Sequence, residues 1–287
     1  MKALASLSLL IAGLAAHADE PAPNADKRAL NLAVQRDGQR NQSAAASVSL
    51  LVGDSAWLQG GIGQSRGRDA ASGEVYRPSQ LALGGGAAGK AWQVSVNASQ
   101  RRDGDRLRQT DLAAAADWRP TEGVNVGLDA VKRQARARGT VGNTPVEQRV
   151  KGHGVGVHAA VAVTQRLSVY GAALYNRYAT TTTRASGNGG LLAGVPLIGN
   201  HVSAVNRDEA ALDRSRQLGV TYRVSERVAL NGEVMQDRVH DGGSLRSVQM
   251  KAAIAAGAGW NLTPGIGRSH GAQGSSNYGL LGASYAW

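Results

Sequence analysis

From Arg28 to the last residue, apolar and polar positions alternate almost one for one, the period that places successive side chains on opposite faces of a β-strand. Ala91–Arg101 is the clearest case, with Trp92, Val94, Val96 and Ala98 set against Gln93, Ser95, Asn97 and Ser99. The same reading predicts strands over Arg28–Arg36, Ala46–Val52, Ala56–Arg66, Gln80–Ala87, Leu107–Trp118, Val124–Arg133, Arg149–Val163, Leu167–Tyr178, Leu218–Val224, Val228–Arg238 and Leu245–Trp260. A weaker strand, Ile266–His270, precedes a closing one over Asn277–Trp287, giving about 14 strands, or 12 if the first and thirteenth do not pair. Glycine, proline and short polar clusters punctuate them, as in Gly53-Asp54-Ser55 and Arg119-Pro120-Thr121-Glu122-Gly123.

The first 18 residues break this pattern. Lys2, an apolar stretch from Leu4 to Ala16 and the Ala16-His17-Ala18 triplet form the outline of a cleavable signal peptide, and the apolar run is too short to span a bilayer as a helix. Residues 1–18 are therefore set apart as a signal peptide and 19–27 as a polar periplasmic leader, leaving 28–287 as one domain. The chain has no cysteine, so disulfides, thiolate metal sites and thiol lipidation do not enter.

Composition separates two kinds of all-β protein. Aromatic residues make up 4% of the chain, phenylalanine is absent and glycine numbers 38, a poor supply for a solid interior. A wall one residue thick needs no such supply, because it can turn Val, Leu and Ala toward lipid and Gly, Ser and Asn inward. In the closing strand, Trp287, Tyr285, Ala283, Leu281 and Gly279 share one face and end on an aromatic residue. This resembles the closing strand of Gram-negative outer-membrane β-barrels, where an aromatic end, usually Phe, is read by the barrel-assembly machinery. The resemblance implies an all-β, transmembrane, antiparallel up-and-down barrel in the cell outer membrane, with Tyr285 and Trp287 as the machinery's contact. It also implies lipid and lipopolysaccharide as neighbours.

In such a barrel Trp287 belongs at the periplasmic face, and alternate connections fall there too: 53–55, 88–90, 119–123, 164–166, 225–226 and 261–264. Trp57, Trp92, Trp118 and Trp260 each lie within two residues of one of these, so with Trp287 they form a periplasmic aromatic girdle. The opposite connections are longer and charged, as in Arg101–Arg106 and Lys132–Arg138.

Three features bear on function. The longest connection, 179–213, carries Leu191, Leu192, Val195, Pro196, Leu197 and Ile198, which fold into the mouth as a constriction loop or pack on the outer rim. Arginines gather toward the outer end; they either steer anions into a pore or hold lipopolysaccharide phosphates, the second being favoured. The residues phased toward the lumen, and so the candidates for selectivity, are Arg101, Asp111, Asp117, Asp129, Arg133, Glu233 and Lys251, a mixed set that argues only weakly for anions.

Signals of catalysis are faint. Gly267-Arg268-Ser269-His270-Gly271 matches a serine-hydrolase elbow in letters, but no helix can follow it before the closing strand. His153 and His158 fall on opposite faces of one strand; His158 faces the lumen, and a proton-transfer role near Ser168 has no supporting motif. The expected function is a channel for small hydrophilic, possibly anionic, solutes, without cofactor, metal, nucleic acid or enzymatic chemistry. The alternative is a non-conducting structural or surface-interaction barrel, part of an envelope or polysaccharide-export assembly.

Overall fold

The computed structural model describes residues 28–38, 41–68, 75–141, 144–184, 212–239, 244–271 and 274–287. They form β1 (Ala29–Asp37), β2 (Gln42–Val52), β3 (Ala56–Arg68), β4 (Val75–Tyr76), β5 (Ser79–Ala88), β6 (Trp92–Asp103), β7 (Leu107–Thr121) and β8 (Val124–Val141). There follow β9 (Thr144–Ala162), β10 (Leu167–Arg184), β11 (Leu212–Arg223), β12 (Val228–Val239), β13 (Ser244–Gly257), β14 (Trp260–Gly271) and β15 (Gly274–Ala286). The two-residue β4 adds only to the end of β3. The other fourteen strands pair antiparallel with their neighbours in sequence, and β1 pairs with β15 from Ala29↔Ala286 to Asp37↔Tyr278. The sheet therefore closes, no barrel strand among the described residues is left with an open edge, and a count of twelve is excluded because β1 and β14 are both in the ladder.

Alternation fixes the two faces of this wall. Leu58, Ile62, Leu81, Leu83, Leu128, Val155, Leu218 and Ile266 are all more than half exposed, an arrangement that suits hydrocarbon and not water. The intervening positions hold glutamines, aspartates, serines and glycines. One row in register across β6, β7, β8 and β9 reads Val96, Ala114, Ala130, Val155, and the next toward the rim with the chain ends reads Val94, Ala116, Leu128, Val157.

At that rim the connections are short, and the backbones of Arg28 and Trp287 exchange hydrogen bonds of 3.3 and 3.1 Å. Trp92 stands directly opposite Trp118 on the outer face. Trp260 packs on Tyr285 with centroids 4.9 Å apart, and Tyr285 on Trp287 at 5.6 Å. Trp57 departs from the expected girdle. Leu58 and Ile62 take the outer phase of β3, which turns Trp57 inward, where its ring covers Gly86 and fills the place a side chain there would need. With a single tryptophan retained in each variant, brominated lipid is expected to quench Trp118 fluorescence several-fold more than that of Trp57; equal quenching would put both rings in lipid.

Other boundaries also move. The expected turn at 261–264 is strand, and the chain instead reverses at Gly257, Ala258 and Gly259, whose φ values of 89°, 49° and 83° are ones that glycine adopts without strain. Trp260 thus opens β14 and does not end the strand before it. The matched serine-elbow letters lie inside β14, where Gly267 makes room for the ring of Tyr278. Lys132–Arg138, expected as a loop, continues the β8–β9 ladder out to Val141↔Thr144, because small and polar residues satisfy the pairing well past the apolar rows. The apolar run 191–198 lies outside the described residues.

Candidate pore-lining site

The inner face is organised by glycines that let long side chains reach over them to the second strand along. His158 on β9 faces Gly127 on β8, which in turn faces Asp117 on β7. A Cβ on Gly127 would overlap His158 Nε2, so the imidazole lies flat across the gap. There its Nε2 is 2.8 Å from Asp117 Oδ1 and its Nδ1 is 2.8 Å from Asp129 Oδ2. Asn125 Nδ2 donates to the same Asp117 oxygen at 3.0 Å.

The same construction recurs around the barrel. Tyr178 crosses Gly152 to meet Arg133, which donates to its phenolic oxygen. Arg133 also binds Asp111 through Nε at 2.8 Å and Nη2 at 3.3 Å, a bidentate fork, and Gln109 donates to Asp111 at 2.8 Å. Tyr170 crosses Gly219 to donate to Glu233 Oε2 at 2.7 Å, joined there by Gln217 at 2.8 Å. Gln249 donates to the other oxygen of Glu233 and accepts from Tyr278, which crosses Gly267. Lateral bonds of this kind let ionic side chains line the wall with their hydrogen-bonding capacity largely met inside it.

The seven residues phased toward the lumen all fall on this inner face. Asp111 joins Arg133, and Asp117 joins Asp129 through His158. Arg101 stands apart, bonded to Gln80 at 3.2 Å, and Glu233 lies elsewhere among neutral donors. Lys251 lies against Gly265. The histidine that links two of them was not in the expected set. Alternation alone placed His158, Asp117 and Asp129 on one face, but their meeting depends on register across three strands. In the β9–β10 register Ser168 stands opposite Ala162, and His158 opposite Ala172. Asp237 is a further buried inner carboxylate.

Charges are sorted between the faces. In mid-wall the inner face carries Asp111, Asp117, Asp129, Glu233 and Asp237 against Arg101, Arg133, Lys251 and the doubly hydrogen-bonded His158. Residues of the same phase near the rims, Asp37, Asp103 and Asp213 at one end and Arg119 and Arg223 at the other, keep the balance acidic. Most of the remaining arginines project from the outer face toward the rim away from the chain ends. Among the described residues no group of three or more metal-ligating side chains is placed to hold an ion.

No protein-family model matches the chain, and no curated protein matches it in sequence. Solved structures do match in shape. The toluene transporter TodX of Pseudomonas putida superposes with a TM-score of 0.53 at 9% identity, covering 99% of this chain and 94% of its own. The monoaromatic hydrocarbon channel CymD gives 0.55 at 9% identity, covering 91% of this chain and 87% of its own. OmpT of Vibrio cholerae, an outer-membrane protein, gives 0.50 at 11% identity, covering 91% and 97%. At these identities the likeness is one of fold, and it agrees with the closed ladder and the apolar outer face: the chain has the fold of the outer-membrane β-barrel proteins, a transmembrane antiparallel barrel of fourteen strands.

Proposed function

We propose that the protein is an outer-membrane channel for small hydrophilic solutes, exported by its N-terminal signal peptide and favouring cations over anions. The observation that carries this reading is the inner face: a closed wall with apolar side chains outside and a laterally bonded polar lining inside, in which carboxylates outnumber cations. Fourteen strands spaced about 4.8 Å apart and tilted about 40° give a backbone radius of about 14 Å, wide enough to admit solute beside the lining side chains. Apart from Arg101 and Arg133, most of the arginines that sequence alone left between a pore mouth and the lipid side project outward, so they do not line the path. This is the reason for preferring cations, where sequence alone argued weakly for anions. TodX and CymD carry names of hydrocarbon transport, but the polar lining here suits hydrated solutes better.

The test is single-channel recording of the refolded protein in a planar bilayer under a potassium chloride gradient. Steady conductance steps with a reversal potential on the potassium side are expected. A silent bilayer would favour the non-conducting structural barrel, and a reversal on the chloride side would overturn the cation preference alone.

A further inference from the structure

On the outer face, Arg102, Arg108, Arg136 and Arg149 stand in direct register across β6, β7, β8 and β9. Like charges placed directly opposite on neighbouring strands destabilise a sheet, and here three such pairs follow one another. One carboxylate relieves part of this: Glu147 accepts from Arg136, from Arg149 at 2.7 Å and from Arg138 at 3.1 Å. No described carboxylate lies within ion-pair distance of Arg102 or Arg108. The guanidinium side chains of Arg136 and Arg149 remain 43% and 59% exposed even so, which leaves donors free for a further anion.

The position of this row indicates what kind of anion. Arg108 is two rows beyond Leu112, which is exposed on the apolar wall, a step of about 14 Å along the strand and about 10 Å along the barrel axis. That is headgroup depth, not open solvent. Three rows below the arginines, past Thr110 and Leu112 on β7 and Gln134 and Lys132 on β8, Ala114 and Ala130 form a shallow depression between Val96 and Val155, continued on β7 by Ala116. A row of guanidinium groups at headgroup depth, with an apolar wall and a depression of small residues below it, is complementary to a phosphorylated headgroup carrying acyl chains, since arginine holds phosphate through paired N–H donors.

We infer that the β6–β9 outer face is a binding site for a phosphate-bearing, acylated lipid, with Arg102, Arg108, Arg136 and Arg149 holding the phosphates and the alanine depression below them seating a chain. The site is independent of whether the barrel conducts. It also gives a reason for β8 and β9 to continue past the apolar rows: their extension carries Arg136, Arg138 and Arg149 to the headgroup level.

The test uses the folded full-length protein in detergent, titrated with diphosphorylated lipid A, with the same lipid dephosphorylated, and with inorganic pyrophosphate, and read by native mass spectrometry. Retention of the diphosphorylated lipid is expected, with at least about tenfold weaker binding for the dephosphorylated lipid and for pyrophosphate. R108Q/R136Q should weaken lipid binding by at least about tenfold, R108K/R136K by less, and R227Q at the other rim not at all. Equal binding of the dephosphorylated lipid, or of R108Q/R136Q, would overturn the proposal. Pyrophosphate binding as tight as the lipid would overturn the lipid as the occupant. Folding of each variant is checked by its mobility in an unheated gel and by circular dichroism, and R108K/R136K serves if the glutamine variant does not fold. Single-channel conductance should be unchanged in R108Q/R136Q, which separates this result from the channel reading.

Discussion

Gly127→Val is expected to destabilise the barrel by about 3 kcal/mol, read as a shift in the urea midpoint for unfolding from lipid vesicles. Two contacts set the size of the effect. A Cβ at 127 would overlap His158 Nε2, and it would stand 2.9 Å from the backbone oxygen of Ala116. The imidazole can swing away, but only by leaving Asp117 and Asp129, which both hold it at 2.8 Å, so two half-buried carboxylates lose a partner at once. The oxygen of Ala116 cannot move without opening the β7–β8 ladder. A double-mutant cycle separates the two terms. In a His158→Ala background the valine meets only the backbone contact, and the cost is expected to fall by about 1–2 kcal/mol. A cost independent of residue 158 would mean that the glycine serves the strand and not the bridge. Gly219→Val tests the same construction elsewhere, since it displaces Tyr170 from Glu233.

Much of the wall was legible because period-two alternation survives any uncertainty at strand ends. All fourteen barrel strands contain residues the sequence pattern assigned to them, and the phase of Val94, Val96 and Trp92 against Gln93 and Asn97 matches the ladder. What alternation cannot carry is register, because it describes each strand alone. His158, Asp117 and Asp129 could be put on one face from sequence, yet that Gly127 lies between two of them follows only from pairing across β7, β8 and β9. The arginines show the same limit. Their concentration toward one end was visible, whereas the alignment of Arg102, Arg108, Arg136 and Arg149 in a single row was not. Trp57 shows a second limit. Its closeness to a turn suggested lipid, but Leu58 and Ile62 already occupied the outer phase of β3, and the alternation of that strand, applied strictly, turns Trp57 inward. The turn after β13 was misplaced for a third reason: it was set at 261–264, whereas the two glycines flanking Ala258 meet the backbone's actual requirement for positive φ.

Glu233→Gln is expected to change ion selectivity more than any other single substitution in the lining. Asp111 is neutralised by Arg133, and Asp117 and Asp129 share His158, but Glu233 accepts only from the neutral groups Tyr170, Gln217 and Gln249. Its charge is therefore less cancelled than those of Asp111, Asp117 and Asp129, and it lies deeper in the wall than Asp237, which is two rows nearer the end of β12. For an ion passing about 8 Å away in water, a unit charge contributes about 0.5 kcal/mol, a factor of about 2 in local concentration. The effect has opposite sign for cation and anion, so removing the charge lowers the cation-to-anion permeability ratio by roughly 5-fold. Glutamine keeps the volume and can still accept from Tyr170, so the wall should fold as before and the conductance at high salt should change little, because screening already suppresses the term there. Low salt is where the two proteins separate. A reversal potential unaltered by Glu233→Gln at low ionic strength would show that the permeating ion does not pass this wall, and the cation preference would then have to come from the carboxylates near the rims.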